Sequence, residues 1–173
     1  KGLAMEAKPF SVGVRIESLQ EDIDKGLYHS LAGHKALPKG EYQLSHHTKT
    51  RGVYTFCMCP GGNVVAAASE EDTVVVNGMS LHARDGKNAN SALVVSVGPE
   101  DFANDFTKAI AFQRQLEKQA FEMGGKNYKA PAQSVGNFLN GKTGIGKSRV
   151  QPTYPLGIAE CDMAQLFPQQ ITE

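Results

Sequence analysis

The sequence predicts an α+β fold: a single domain built on an antiparallel or mixed β-sheet, with helices packed on one face. Three observations carry that prediction. Strand-like runs of alternating apolar residues come early, the long helical pattern comes only after Pro99, and no regular β-α-β alternation joins them. At 173 residues the chain is long enough for one core, because a unit of that size buries roughly 70% of the surface its unfolded chain exposes.

Residues 9–17, PFSVGVRIE, alternate apolar and polar through Phe10, Val12, Val14 and Ile16, the period-2 pattern of a half-buried strand. In residues 18–33, SLQEDIDKGLYHSLAG, Ser18 and Glu21 fit a capping box. Leu19, Ile23, Leu27 and Leu31 recur every four residues, which predicts an amphipathic helix ended by Gly33. Residues 35–40, KALPKG, form a turn, and EYQLSHH at 41–47 follows as an edge strand with lysines on both sides.

From Gly52 the chain runs GVYTFCMC, PGGN and VVAAAS, two β-rich stretches around a Pro-Gly-Gly turn and hence a predicted hairpin. TVVV at 73–76 adds a strand to the meander. Residues 77–91, NGMSLHARDGKNANS, are rich in Asn, Gly and Ser and predict a long loop, a feature uncommon inside a domain unless it binds something. ALVVSV at 92–97 predicts a central strand.

Beyond Pro99 the period changes. Ala109, Phe112, Leu116, Ala120 and Met123 are spaced three or four apart and Gly124 and Gly125 stop the pattern, which predicts the longest helix. In PAQSVGNFLNG, Pro131 occupies a first helical position and Gly141 stands just past the end of a short helix. Residues 142–157, with Pro152 and Pro155, are loop, and no internal repeat is visible.

Composition narrows the partners. Lysine plus arginine equal aspartate plus glutamate at 18 each, so no net field draws the chain toward nucleic acid or an anionic membrane. No apolar run approaches the roughly 20 residues of a membrane span, and the N-terminal KGLAMEAKPF has neither an apolar signal region nor a cleavage site. A cytoplasmic location is expected. Three cysteines, Cys57, Cys59 and Cys161, are an odd set unlike a secreted disulfide framework, so reduced thiols are expected. Lys1 has no initiator methionine before it, and DMAQLFPQQITE stops inside an apolar pattern, so the expectation is a piece of a longer chain.

Residues 141–148, GKTGIGKS, match the phosphate-loop pattern to the letter. A phosphate loop needs a strand before it and a helix after it, which aims amides and a positive dipole at the phosphates. Here a helix precedes the match and prolines follow it, so a Gly/Lys surface loop is expected instead. Cys57 and Cys59, two apart, share a strand face and could serve a metal, redox chemistry or a ring contact, or simply pack in the core. Zinc would require four ligands in recognisable groups, and neighbouring His46 and His47 point to opposite faces.

Gly61 and Gly62 would let backbone amides approach a planar ligand, and they also suit a tight turn. Arg84, Asp85, Asn88 and Asn90 form a polar cluster that is either a contact set or a solvated loop with local Asx turns. His29, His34, His46, His47 and His82 show no base–nucleophile arrangement.

Four stretches carry a resemblance: PFSVGVRIES at 9–18, RGVYTFCMCPGGNVVAAASEE at 51–71, NGMSLHARDGKNANSALVVSV at 77–97 and NYKAPAQSVGNFLNGK at 127–142. Together the chain resembles the bacterial FAD-dependent dehydrogenases, the NAD(P)/FAD-dependent oxidoreductases. The glycine-rich dinucleotide fingerprint of such proteins, G-x-G-x-x-G after a strand, is absent. The resemblance therefore implies an inserted, substrate-side domain that covers the isoalloxazine, with FAD held by a nucleotide-binding domain of the same parent chain and none retained by residues 1–173 alone. It makes Cys57, Cys59, Gly61 and Gly62 the ring-side candidates, and Arg84, Asn88 and Asn90 the polar contacts to cofactor or substrate. The rival expectations are a non-catalytic ligand- or protein-binding module, and a thiol-based redox or metal protein using Cys57 and Cys59.

Overall fold

In the computed structural model, residues 2–172 are described; Lys1 and Glu173, which mark the chain ends, lie outside the described residues. In chain order the first elements are β1 (Phe10–Leu19), α1 (Gln20–Tyr28), β2 (Ser45–His47), β3 (Gly52–Cys59), β4 (Gly62–Ala66), β5 (Val76–Ser80) and β6 (Asn88–Val97). There follow α2 (Phe106–Met123), β7 (Ala130–Ala132), α3 (Val135–Leu139), β8 (Ile158–Glu160) and α4 (Gln169–Thr172).

A four-stranded antiparallel sheet in the order β1-β6-β3-β2 forms the centre, with two-stranded ribbons β4-β5 and β7-β8 beside it. The fold is α+β, as the early strand patterns and late helix imply. β6 is the central strand because ALVVSV is apolar toward both faces and can pair on both edges. β2 is the exposed edge predicted for EYQLSHH, shortened to three residues, with His46 and His47 both exposed.

Helix α2 follows Asp105, whose carboxylate accepts the Thr107 N–H, and Gly124 closes it. Phe10 of β1 stacks on Phe102, which tilts against Phe112 of α2, and this ties the helix to the sheet. At the other end of α2, Ala120 and Phe121 bury against Val74 and Leu166.

Several expectations are corrected. The segments 52–59 and 64–69 do not form a hairpin: β3 pairs with β2 and β6, while β4 pairs with β5. A bulge in β3 between Phe56 and Cys59 and the positive φ of Gly61 turn the chain out of the first sheet instead of reversing it within that sheet. The strand expected at 73–76 is displaced to Val76–Ser80, because Thr73 and Val74 are buried and the Val74 N–H donates to Glu117 O of α2 rather than to a ladder.

The long loop expected over 77–91 is mostly strand, leaving only 81–87 irregular. Its asparagine at 88 enters β6 because long-range hydrogen bonds to Glu17 and Gln151 replace the local Asx turns expected there. The helix expected to start through a Ser18–Glu21 capping box starts at Gln20, after Leu19, with no side-chain cap. It stops at Tyr28, short of Gly33. Leu27 and Leu31 of its apolar stripe are exposed. Pro131, expected at a helix start, lies in β7; the cap of α3 is Ser134, whose hydroxyl accepts the Asn137 N–H, and Gly141 stands past its end as expected, with positive φ.

Residues 142–157 are irregular as expected, and α3 precedes the GKTGIGKS match with no helix starting directly after it. The Ile145 N–H of that match donates to Glu160 Oε2 at 2.8 Å, so an anion of the chain itself occupies the position a phosphate would need. No helix among the described residues is long and apolar enough to cross a membrane.

Candidate functional site

The most deeply buried side chains include three polar ones, Asn90, Thr73 and Ser91, together with Pro60. Two of them begin β6, and the reason lies in the alternation of the sheet. Arg15 and Glu17 on β1 sit opposite Ala92 and Asn90 on β6, and Asn90 is also opposite Cys59 on β3. Residues two apart share a face, so Arg15, Glu17, Asn88, Asn90 and Cys59 crowd one side of the sheet where a core would ordinarily be apolar.

β5 packs over this polar side at Gly78. A Cβ there would lie 2.1 Å from Asn90 Oδ1 and 2.5 Å from Arg15 Cζ, so only glycine lets the ribbon approach so closely. Asn90, 1% exposed, has neither its Oδ1 nor its Nδ2 hydrogen-bonded, and Arg15 Nε is buried and unpartnered as well. Buried polar atoms are ordinarily paired, each orphan costing about 1–3 kcal/mol.

The remaining donors of Arg15 hold the bulge of β3. Its two terminal nitrogens donate to Cys57 O at 3.3 and 2.8 Å, and Nη2 lies 3.8 Å from Cys59 Sγ. Cys57 takes φ 50°, an unusual conformation for a residue with a side chain. The bulge also breaks the shared face expected of the two cysteines, leaving Cys57 exposed and Cys59 buried, with their sulfurs 4.0 Å apart. Burial pushes the Cys59 thiol above its usual value, the neighbouring Cys57 adds to that, and the Arg15 charge partly offsets it.

In front of the bulge lies an open groove of about 440 Å³ lined by Glu41, Tyr42, Thr55, Phe56, Cys57 and Met58. Phe56 is 63% exposed there. Arg84, itself at φ 52°, donates to Glu41 Oε1 at 2.6 Å and so stands at the rim of the groove. Tyr42 and Ser91 share a hydroxyl hydrogen bond of 2.7 Å that joins the groove wall to β6.

The other sequence-predicted residues are engaged within the chain. The Gly61 N–H donates to Gln20 Oε1, and a Cβ on Gly61 would meet Arg84 O at 2.1 Å. A Cβ on Gly62 would meet Met79 O at 2.3 Å. These glycines admit neighbouring backbone. Asn88 donates to Glu17 Oε1 and Gln151 O, while Glu17 also accepts from the N–H and hydroxyl of Thr153. Sequence reasoning missed Arg15, Gln20 and Gly78, since an arginine within an alternating strand, a glutamine opening a helix and a glycine in a presumed loop each have ordinary surface roles. Among the described residues no group of three or more His, Cys, Asp or Glu is placed to hold a metal.

A family model described as "FAD-dependent protein, C-terminal domain-like" matches residues 9–173. The chain belongs to that family. This FAD-protein domain is also 46% identical, over 176 residues, to an uncharacterised protein of Clostridium beijerinckii. The match takes in 100% of the domain and 33% of the relative, so the domain spans about a third of that relative's length.

The family implies FAD, and the residues divide in how they suit it. A dinucleotide cradle requires a glycine-rich turn from a parallel strand into a helix. Here the parallel pair β7-β8 reaches α3 through Gln133 and Ser134, with no glycine. The groove at the bulge, with exposed Phe56 and Cys57, rim Arg84 and the orphaned polar atoms behind it, suits a contact made from one side by a planar group held elsewhere.

Proposed function

We propose that this FAD-protein domain is the substrate-side, non-nucleotide-binding part of a flavin-dependent dehydrogenase, covering the isoalloxazine and shaping the substrate pocket in the full-length protein. The observation that carries the proposal is the family match over residues 9–173, with no dinucleotide cradle among the described residues. The nucleotide-binding portion of the same parent would be its partner, and the cytoplasm its location.

FAD, when bound, supplies the two-electron chemistry, and the protein around it supplies position and polarity. Phe56 and Cys57 would form the apolar and thiol surface presented to the ring, and Arg84 at the groove rim would attract an anionic group of substrate or cofactor. Arg15, by gripping Cys57 O, keeps the bulge in shape. Gly61 and Gly62 let the 84–86 segment and β5 close in behind it. Asn88 and Asn90 would tune polarity from beneath, Asn90 with hydrogen-bonding capacity unspent within the domain.

The test uses the full-length protein. Phe56→Ala and Arg84→Ala should each shift the flavin absorption band or raise KM for the substrate. Unchanged flavin content, spectrum and turnover in both variants would remove the groove from the active site. The isolated domain mixed with FAD should emerge colourless from gel filtration, and a stoichiometric yellow complex would overturn the assignment of a non-nucleotide-binding role.

A further inference from the structure

We propose that Cys57 and Cys59 form a reversible dithiol–disulfide couple, with Cys57 as the entry thiol and Cys59 as the resolving thiol, for exchange with low-molecular-weight or protein disulfides. The inference rests on the bulge alone and stands whether or not the domain covers a flavin.

Four features of the geometry converge. The two sulfurs are 4.0 Å apart, so a bond of about 2.05 Å needs them to approach by about 2 Å, within reach of side-chain rotation at the exposed Cys57. The bulge inserts one extra residue between the pairs Phe56–Ala92 and Cys59–Asn90, leaving Cys57 and Met58 outside the ladder, so the Cys57 side chain can turn toward Cys59 without breaking a strand pair. The accessibilities differ as the roles require: Cys57 is exposed and Cys59 is 5% exposed. Finally, Arg15 Nη2 lies 3.8 Å from Cys59 Sγ, where its charge partly offsets the burial that keeps the resolving thiol protonated. Cys161 is engaged elsewhere, its thiol donating to Met123 O at the end of α2.

The exchange is balanced. The Cys57 thiolate attacks one sulfur of a disulfide RSSR, forming a Cys57–S–S–R bond and releasing RS⁻. Cys59 then loses its proton, and its sulfur displaces the second RS⁻ from Cys57, forming the intramolecular bond. The two released thiolates take up the two protons given up by the cysteines. The dithiol is oxidised by two electrons and RSSR is reduced by two.

The experiment incubates the reduced domain with glutathione disulfide, quenches with acid, and labels remaining thiols with a maleimide for peptide mass spectrometry. In the wild type, Cys57 and Cys59 should lose their labels together, with the mass of two hydrogens lost from the peptide that holds both and Cys161 still labelled. A stable glutathione adduct on Cys57 beside a labelled Cys59 would overturn the proposal. Cys59→Ser should accumulate that adduct about tenfold above wild type, because nothing resolves it; equal adduct levels would count against a resolving role. Cys57→Ser, an exposed change, should leave Cys59 slow to react, and reaction at the wild-type rate would refute Cys57 as the entry thiol. Wild type and Cys57→Ser decide the matter even where Cys59→Ser, a buried change, fails to fold.

Discussion

Gln20 offers the sharpest test of how the site is held. Its side chain is 3% exposed; Nε2 donates to Asp24 Oδ1 at 2.8 Å and to Gly40 O at 3.0 Å, and Oε1 accepts the Gly61 N–H at 2.8 Å. One glutamine thereby joins α1, the 35–40 turn and the turn that carries the chain out of β3. Gln20→Ala orphans two buried backbone groups, the Gly61 N–H and the Gly40 carbonyl. At about 1–3 kcal/mol each, a loss of about 4 kcal/mol is expected. Asp24 Oδ1 keeps the Gly40 N–H, so it adds little to the penalty. Gln20→Glu is a harsher change at neutral pH. It retains the acceptor for Gly61 but turns a carboxylate oxygen toward Asp24 Oδ1 and Gly40 O, three acceptors with no proton between them. Burial and the Asp24 charge would raise the introduced carboxyl above its unfolded value of about 4.3, so the folded form takes up a proton first and this variant recovers stability as pH falls toward that value. Urea unfolding followed by far-UV circular dichroism, at neutral and mildly acidic pH, measures both effects. A loss below about 1 kcal/mol for Gln20→Ala, within the range of an ordinary surface change, would refute the reasoning. So would a Gln20→Glu variant as stable as Gln20→Ala at neutral pH.

Four further outcomes follow from the same geometry. Gly61→Ala combines φ 53° with a Cβ 2.1 Å from Arg84 O, so it should cost about 3 kcal/mol in urea unfolding. Gly26→Ala, in the exposed part of α1 with nothing within 4 Å, should instead add about 0.5–1 kcal/mol. The Arg51 hydrogen bond, helped by the Gly98 N–H, holds Asp101 below the usual carboxylate range, so its stabilisation is present above about pH 3.9 and is lost as pH falls through the lowered value. Asp101→Asn should cost about 1–2 kcal/mol near neutrality and flatten that acid limb of a stability–pH curve. Glu17→Ala removes the acceptor that ties Thr153 to the sheet, so trypsin should cut after Lys147 or Arg149 several-fold faster than in the wild type, and equal rates would deny the tether.

The parts of the fold written plainly in the sequence are those in which one local pattern decides the outcome. The alternation from Phe10 to Ile16 and the spacing from Ala109 to Met123 each needed only a single apolar face, and β1 and α2 follow them. Misplaced elements are those in which two local signals competed with a contact far along the chain. Asn88 and Asn90 have the composition of a loop, yet Glu17, 71 residues away from Asn88, supplies the acceptor that makes strand backbone tolerable there. TVVV has strong β propensity, yet Val74 is drawn into the helix-side core and the ladder begins at Val76.

The candidate site was legible only in its residue types. CMCPGG marks a place where something other than a regular strand must happen, but a period-2 rule puts Cys57 and Cys59 on one face. The bulge that separates them follows from a register jump against Ala92 and Asn90, which no local pattern encodes. Arg15 was hidden for the same reason: on β1 it is one more polar residue of an alternating strand, and its hold on Cys57 O exists only because β6 brings β1 and β3 together. The polar side beneath the bulge therefore has a cost that local sequence cannot explain. Asn90 and Arg15 Nε are buried without partners, and Gly78 is required simply to make room for them. A packed apolar residue at position 90 would leave no unsatisfied carboxamide behind the exposed thiol, so folding stability does not account for the asparagine there.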